Sequence, residues 1–299
     1  MLYVAVSIDE LRRLAEEFCR DELFDSMVYR ALAEREADPA RRRLLEALAE
    51  QEYRHYLFWR EIAGRDCRIE KPRISLLAVS YRLLGPVFTL RLLERGEEET
   101  IRRYREVLPR LEGEQRRRLE EIIREEEEHE QRLLEEIRDS RVKYLGYIAL
   151  GLADAIVEVT GVHAGFLGAT SNTVVAGVAG LIVGFSAALS MAGAAYLQAK
   201  HSREESPLVS AAVTGLSYIF SVVVLALPYF LTHAMLLAFA ASTAAGLALT
   251  AAFTYYSAVV QGKGFAREYA ESATLLLATA LGSYLFGEAL GRLTGIRID

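Results

Sequence analysis

Hydrophobic and polar positions divide the chain near residue 143. Before it, charged residues interleave with apolar ones in segments bounded by helix start and stop signals; after it, the sequence turns abruptly apolar. Ser7-Ile8-Asp9-Glu10 has capping-box spacing and predicts a first helix running to about Arg35. Asp38-Pro39 opens a second, to about Ile62, and Gly64 ends it. A loop through Lys71-Pro72 leads to a short apolar helix near Ser75–Leu84, which Gly85-Pro86 breaks before a third long helix to about Val107. Pro109 and Gly113 close that one. A fourth helix from about Glu114 meets no breaker before Ser140.

Five apolar stretches follow, at about Tyr144–Gly168, Thr173–Leu197, Leu208–Leu231, Ala234–Val259 and Ser272–Gly291. Each is near or above the ~20 residues that cross a bilayer. The expected architecture is all-α: a four-helix bundle over residues 1–140, then a five-helix transmembrane domain over 141–299. The N-terminus turns acidic at Asp9-Glu10 without a secretory signal pattern, so insertion is expected to depend on a later segment.

Composition sharpens the division. The first 143 residues carry 29 of the 35 Lys+Arg and 33 of the 41 Asp+Glu, so the overall 25% charged and 52% hydrophobic describe neither half. A net charge of −6, with Arg and Glu interleaved, gives no basic face for nucleic acid, and that class is set aside. The two cysteines, Cys19 and Cys67, show neither a CxxC nor a disulfide framework. Cys19 is expected as a small buried hydrophobe and the first half in a reducing compartment. Basic residues precede the first span (Arg138, Arg141, Lys143) and occupy two alternate turns (Lys200 and Arg203; Lys263 and Arg267), whereas the turns near Asn172 and His233 carry none. The positive-inside rule then predicts a multi-pass protein of the cell membrane, with the first domain cytoplasmic and the C-terminus outside.

An internal repeat points to chemistry. Glu22 is followed by Tyr29 at +7 and by Glu52-x-x-His55 at +30; Glu97 is followed by Tyr104 at +7 and by Glu126-x-x-His129 at +29. Residues three apart share a helix face, so each Glu-x-x-His pair aims two ligands at one spot. Glu22 and Glu97 complete four carboxylates and two imidazoles, the ligand arrangement of di-iron helical bundles. Carboxylates neutralise two close divalent cations, and imidazole nitrogens favour iron, manganese or zinc over calcium or magnesium. Alone, an Glu-x-x-His inside the Glu-rich run 125–130 means little; its recurrence at matched spacing carries the expectation. Tyr29 and Tyr104 read either as core aromatics or as donors to the carboxylates.

In the apolar half, the first span contains Asp154, Glu158 and His163. An acid at mid-bilayer costs at least ~2.5–3.5 kcal/mol on insertion scales, and two acids four residues apart on one face call for compensation, by a cation passing along that face or by hydrogen bonds between helices. Met191, in Ser190-Met191-Ala192, is a soft donor among small residues or a core filler. His163 reads as a satisfied polar contact or a proton carrier.

These residues carry two resemblances. Residues from about 10 to 138 resemble the rubrerythrin/ferritin-like (erythrin) superfamily through Glu22…Tyr29, Glu52-x-x-His55, Glu97…Tyr104 and Glu126-x-x-His129. Residues 144–298 resemble the vacuolar iron transporter family through Asp154-x-x-x-Glu158 and Ser190-Met191-Ala192, and the fusion in this order is similar to membrane-bound ferritin proteins. The resemblance implies a di-iron site, with Mn²⁺ or Zn²⁺ as substitutes, and a homodimeric exporter of Fe²⁺ or Mn²⁺ coupled to protons along Asp154, Glu158 and Met191. Relatives often have Glu-Tyr where this chain has Ala195-Tyr196, and the loop Ala199–Pro207 is too short for the metal-binding insert of plant relatives. The alternative is a membrane-anchored ferroxidase or peroxide-scavenging oxidase whose spans serve as an anchor.

Overall fold

A computed structural model describes residues 8–69, 73–136, 140–169, 172–202 and 206–294. Every regular element among them is helical, and the chain divides into two compact units, residues 1–139 and 140–299. The capping residue Ser7 lies outside the described residues.

In the first unit, α1 (Ile8–Ala33) and α2 (Pro39–Ala63) pack side by side along their lengths. Their turn is held by side chains. Asp38 caps α2 by accepting from the backbone N–H groups of Ala40 at 2.8 Å and Arg41 at 3.0 Å, and Pro39 supplies a first-turn residue that needs no donor. Glu36, buried beside the cap, accepts from Arg41 Nε at 3.0 Å and from the Tyr81 hydroxyl. Burial opposes its ionisation, but the Arg41 and Tyr81 hydrogen bonds outweigh it and draw its pKa down to about 2. Gly64 ends α2 at φ 72°, its N–H returning to Arg60 O.

The buried stripes have helical spacing: Ala15, Phe18, Cys19, Glu22, Ser26 and Tyr29 on α1; Leu48, Ala49, Glu52, His55, Tyr56 and Trp59 on α2. Each stripe is interrupted by an acid at the same level of the pair. After α2 come α3 (Arg73–Leu84), α4 (Pro86–Glu94), α5 (Glu97–Val107), a 3₁₀ turn at Leu108–Arg110 and α6 (Gly113–Glu136). The third long helix expected from Pro86 to Val107 is thus two helices, parted at Arg95-Gly96. Glycine is the weakest helix former after proline, and Gly96 offers no side chain to cap α5.

The two cysteines are bonded: Cys19 on α1 and Cys67 beyond α2 form a disulfide with Cα atoms 6.1 Å apart. This corrects the expectation of a buried free thiol. Cys19 is buried, but the fold returns the chain after Gly64 alongside α1 and brings Cys67 to it. Around the bridge, Phe18, Trp59 and Tyr104 form an aromatic trio with centroids 4.7–4.9 Å apart.

The second unit begins with a four-residue turn of helix, α7 (Ser140–Lys143). It continues as α8 (Leu145–Ala169), α9 (Thr173–His201), α10 (Pro207–Leu231), α11 (Met235–Gln261) and α12 (Phe265–Thr294). These last five are long and apolar enough to cross a membrane, and the chain is a membrane protein. Ile182, Phe185, Phe220, Leu281 and Phe286 are exposed on their outer faces, as a lipid-facing surface requires. Helix α8 packs against all four others. Glycine permits that closeness: a Cβ on Gly287 of α12 would fall on the Gly165 carbonyl of α8, and one on Gly151 would fall on the Thr214 carbonyl of α10. The fifth span was expected from Ser272, yet α12 starts two turns earlier at Phe265. Its first turns are charged, with Arg267 Nε 3.0 Å from Glu271, so apolarity alone did not register them.

Candidate metal centre

Four side chains from three helices converge inside the first unit: Glu22 from α1, Glu52 and His55 from α2, and Glu126 from α6. All are at most 4% exposed, and each offers one ligand atom within 4.8 Å of the others. They meet because each occupies a core position of its helix. On α6 the buried residues Leu119, Ile122, Ile123 and Glu126 continue one stripe, so Glu126 points where a leucine would otherwise sit. The i,i+3 spacing of Glu52 and His55 sets their Oε2 and Nδ1 atoms 3.4 Å apart. His55 Nδ1 is also 2.8 Å from Glu126 Oε1 and 3.7 Å from Glu22 Oε2.

The electrostatics are those of a site built for positive charge. Burial pushes the Glu22 carboxyl well above the usual carboxylate range; Glu52 and Glu126 push the same way, and His55 pulls against them. Burial disfavours the His55 imidazolium, but Glu125, Glu126, Glu22 and Glu52 outweigh it, and its pKa lies well above the ordinary value. Three carboxylates with one imidazole in a dry pocket share protons, and a divalent cation neutralises the same charge with more ligands. The donor set, carboxylate oxygens with one imidazole nitrogen, is a transition-metal set. The cluster is therefore able to hold a metal ion.

Of the residues singled out by the repeat, Glu22, Glu52, His55 and Glu126 are brought together. Glu97 opens α5 and His129 lies on α6, but their side chains fall outside the described residues. Tyr104 is fully buried and its hydroxyl donates to Glu22 Oε1, which orients that carboxylate. The Tyr29 ring packs in a second core cluster with Val28, Leu32, Leu45, Leu48 and Leu90.

Two acids at the site were not anticipated. Glu125 Oε2 is 2.9 Å from His55 Nε2 and accepts from Gln51 Nε2 at 3.2 Å, so it grips the far nitrogen of the ring that faces the cluster. That contact holds Nδ1 toward Glu22, Glu52 and Glu126. Asp25, one turn beyond Glu22 on the same face, has its pKa raised well above the ordinary value by burial and by Glu52 and Glu126. Its sequence signal was the three-residue spacing from Glu22.

In the membrane unit, Asp154 and Glu158 of α8 and Ser186, Ser190 and Met191 of α9 line one cavity of about 560 Å³. Glu158 also accepts from the Tyr218 hydroxyl of α10. Met191 is half-buried, its flank packed against the core formed by Ala155, Val159 and Ala188. His163 lies apart from this cavity. It is fully buried, its ring centroid 4.1 Å from that of Tyr229 and its Nδ1 3.5 Å from Ser242 Oγ, while its Nε2 is buried without a hydrogen-bond partner among the described residues. No known family model matches the chain, and neither a curated protein nor a solved structure matches it.

Proposed function

We propose that the protein transports a divalent transition-metal cation, foremost Fe²⁺, across a membrane, and that the carboxylate–histidine centre of its first unit captures the same metal. The observation that carries this reading is the α8/α9 cavity, where two carboxylates and a thioether line one space between two membrane-length helices. An acid held at that depth costs several kcal/mol unless a cation compensates it. Oxygen and sulfur donors together suit a borderline ion better than calcium or magnesium.

The first unit supports the same cargo. Glu22, Glu52, His55 and Glu126 supply oxygen and nitrogen donors for one ion, and Glu97 with His129, which repeat the motif, would supply a second. These features favour the resemblance to a ferritin-like domain joined to a vacuolar iron transporter-like domain. Five membrane-length helices, one of them carrying an exposed Asp154 and a half-buried Glu158 on one open cavity, exceed what anchoring an oxidase demands, which favours transport over a tethered ferroxidase.

The orientation we adopt places the first unit in the cytosol, because Lys143, Lys200, Lys263 and Arg267 all lie at one side of the five helices. The Cys19–Cys67 bridge pulls the other way, since cytosolic disulfides are uncommon outside hyperthermophiles. The charge rule is preferred because three separate connections agree on it. With the capturing unit on the cytosolic side, the direction we propose is export.

Flux of Fe²⁺, Mn²⁺ and Zn²⁺ into proteoliposomes under a pH gradient tests the proposal. Asp154→Asn should abolish Fe²⁺ flux; undiminished flux removes Asp154 from the pathway, and no flux from the unaltered protein removes the transport reading.

A further inference from the structure

A second cavity, of about 540 Å³, lies between α8, α11 and α12 and shares Asp154 with the first. Its α11 wall carries Thr250, Thr254, Ser257 and Gln261, at steps of four, three and four residues. Those steps keep one helix face, and eleven residues rise about 16 Å, roughly half a bilayer. The polar face begins at Gln261, the last residue of α11 before the turn that carries Lys263, and ends deep in the unit. Glu268 stands across from Gln261 on the charged first turns of α12.

The chemistry of this lining has one sign. Much of its wall is apolar, with Leu150, Ile156, Phe253, Leu275 and Leu276; among the described residues Asp154 and Glu268 are its charged groups, and no basic side chain lines it. Arg267 turns away, extensively exposed and paired with Glu271. Thr250 donates its hydroxyl hydrogen to Gly246 O at 2.9 Å, so what it offers the cavity is an oxygen lone pair. Gln261 Nε2 donates to Ser257 Oγ at 2.6 Å, which spends an amide hydrogen within the wall and leaves the amide oxygen as an acceptor. A row of hydroxyl and amide oxygens between two carboxylates offers a partly hydrated cation ligands and water partners, and the carboxylates repel an anion. The volume far exceeds the ~30 Å³ share of one water, so an ion can enter with part of its hydration shell.

We infer that the α8/α11/α12 cavity is a water-filled vestibule through which a divalent cation, gathered by Glu268, passes along Thr254 and Ser257 to Asp154 from the side of the α11–α12 turn. This rests on the transport reading above and assigns its entry route. Asp154 is then the junction of two compartments, the vestibule on one side of α8 and the carboxylate–methionine cavity on the other. Entry through α11 and α12 also explains why α12 begins with charged turns: they place Glu268 at the mouth.

The test is accessibility labelling of the full-length protein in proteoliposomes. Both native cysteines are bonded to each other, so an introduced thiol is the reactive one. Ser257→Cys, nearly isosteric, and Thr254→Cys are compared with Leu277→Cys, on the lipid-exposed face of α12. A cationic, membrane-impermeant methanethiosulfonate should modify positions 257 and 254 at least about ten-fold faster than 277, because only a hydrated thiol ionises to the attacking thiolate. Millimolar Mn²⁺ should slow that reaction several-fold, and Glu268→Gln in the Ser257→Cys background should raise the Mn²⁺ concentration needed. Equal rates at 257, 254 and 277, the outcome of a lipid-filled groove, overturn the vestibule, as does modification indifferent to Mn²⁺. Fast, Mn²⁺-sensitive labelling in a protein that shows no flux would sustain the cation vestibule while sinking the transport reading.

Discussion

Breaking the Cys19–Cys67 bridge should destabilise the first unit by about 4 kcal/mol, and the chain carries its own reporter for the effect. The bridged residues lie 48 apart in sequence, and closing a loop of that length removes roughly 14 cal/mol/K from the unfolded ensemble in the chain-entropy treatment, about 4 kcal/mol at 25 °C. Trp59 is the single tryptophan, fully buried beside Phe18 in the core that contains Cys19. Its fluorescence in the intact, detergent-solubilised protein therefore reports the first unit while the membrane helices stay silent. With a urea m-value near 2 kcal/mol/M, Cys67→Ser should move the Trp59 midpoint down by about 2 M, and reduction of the wild type should do the same. Both measurements belong in chelator, because bound metal adds stability of its own. Alkylation before reduction, read by intact mass, counts free thiols and confirms that the starting material is bridged. Coincident midpoints for bridged and Cys67→Ser protein would refute the loop-entropy reasoning, and free thiols in protein purified under air would refute the pairing itself.

The metal centre gives three further expectations. Glu52→Gln should abolish the rise in the Trp59 melting temperature on adding Mn²⁺ without lowering the melt in chelator, since it removes a buried carboxylate among others; a persisting Mn²⁺ effect would exclude this cluster as the site. Glu22 and His55 both hold protons more tightly folded than unfolded, so the stability they contribute to the metal-free unit is fullest below the ordinary carboxylate pKa, where Glu36, with its lowered pKa, works in the opposite sense. The unit loses that contribution as pH rises past the ordinary carboxylate and then the ordinary imidazole value. A cation replaces those protons, so the Mn²⁺-induced rise should grow between pH 5.5 and 8, and a pH-independent increment would contradict the assignment. Tyr104→Phe removes the donor to Glu22 and should weaken Mn²⁺ binding by about ten-fold in a titration, with retained affinity as the refuting result. In the membrane unit, Gly287→Ala presses a methyl onto the Gly165 backbone, which has no rotamer to escape into. It should cost about 1–3 kcal/mol, seen as a lower aggregation temperature in detergent.

What could be read from the sequence was whatever is encoded locally and repeated. Glu52 and His55 meet because three residues on a helix is a fixed geometry, and the same spacing at Glu126 marked which glutamate of the 125–128 run lies at a core position. The five apolar helices were legible because bilayer thickness sets a length that few soluble helices combine with such composition. The disulfide was not, since its partners are 48 residues apart and only the return of the chain after Gly64 aligns them. Glu125 was hidden by its neighbours: in a run of four glutamates, the one that reaches around to the outer nitrogen of His55 is chosen by the tilt of α6 against α2, which no spacing records. Gly96 illustrates the opposite limit, a single residue whose helix-breaking tendency is visible but whose outcome depends on packing around it.

The two units answer one physical problem in different solvents. In the first, the helices place Glu22, Glu52 and Glu126 at positions whose periodicity calls for leucine, and in the second, α8 carries Asp154, exposed, and Glu158, half-buried, within a helix long and apolar enough to cross a membrane. Either choice lowers the stability of the ion-free protein, and protons are the cheapest remedy, but protons alone explain neither the imidazole aimed at Glu126 nor the methionine beside Ser190. On the transport proposal a borderline cation accounts for both, because imidazole and thioether donors suit such an ion better than they suit calcium or magnesium. The inference is sharpest where the two sets differ. On the transport proposal the buried centre, with its imidazole held by Glu125, retains an ion, while Asp154, open to two cavities, releases one. Exchange kinetics should separate them: Mn²⁺ bound at Glu22, Glu52, His55 and Glu126 should leave at least ten-fold more slowly than the Mn²⁺ that protects Ser257→Cys, and equal rates would mean that the two sites share one role.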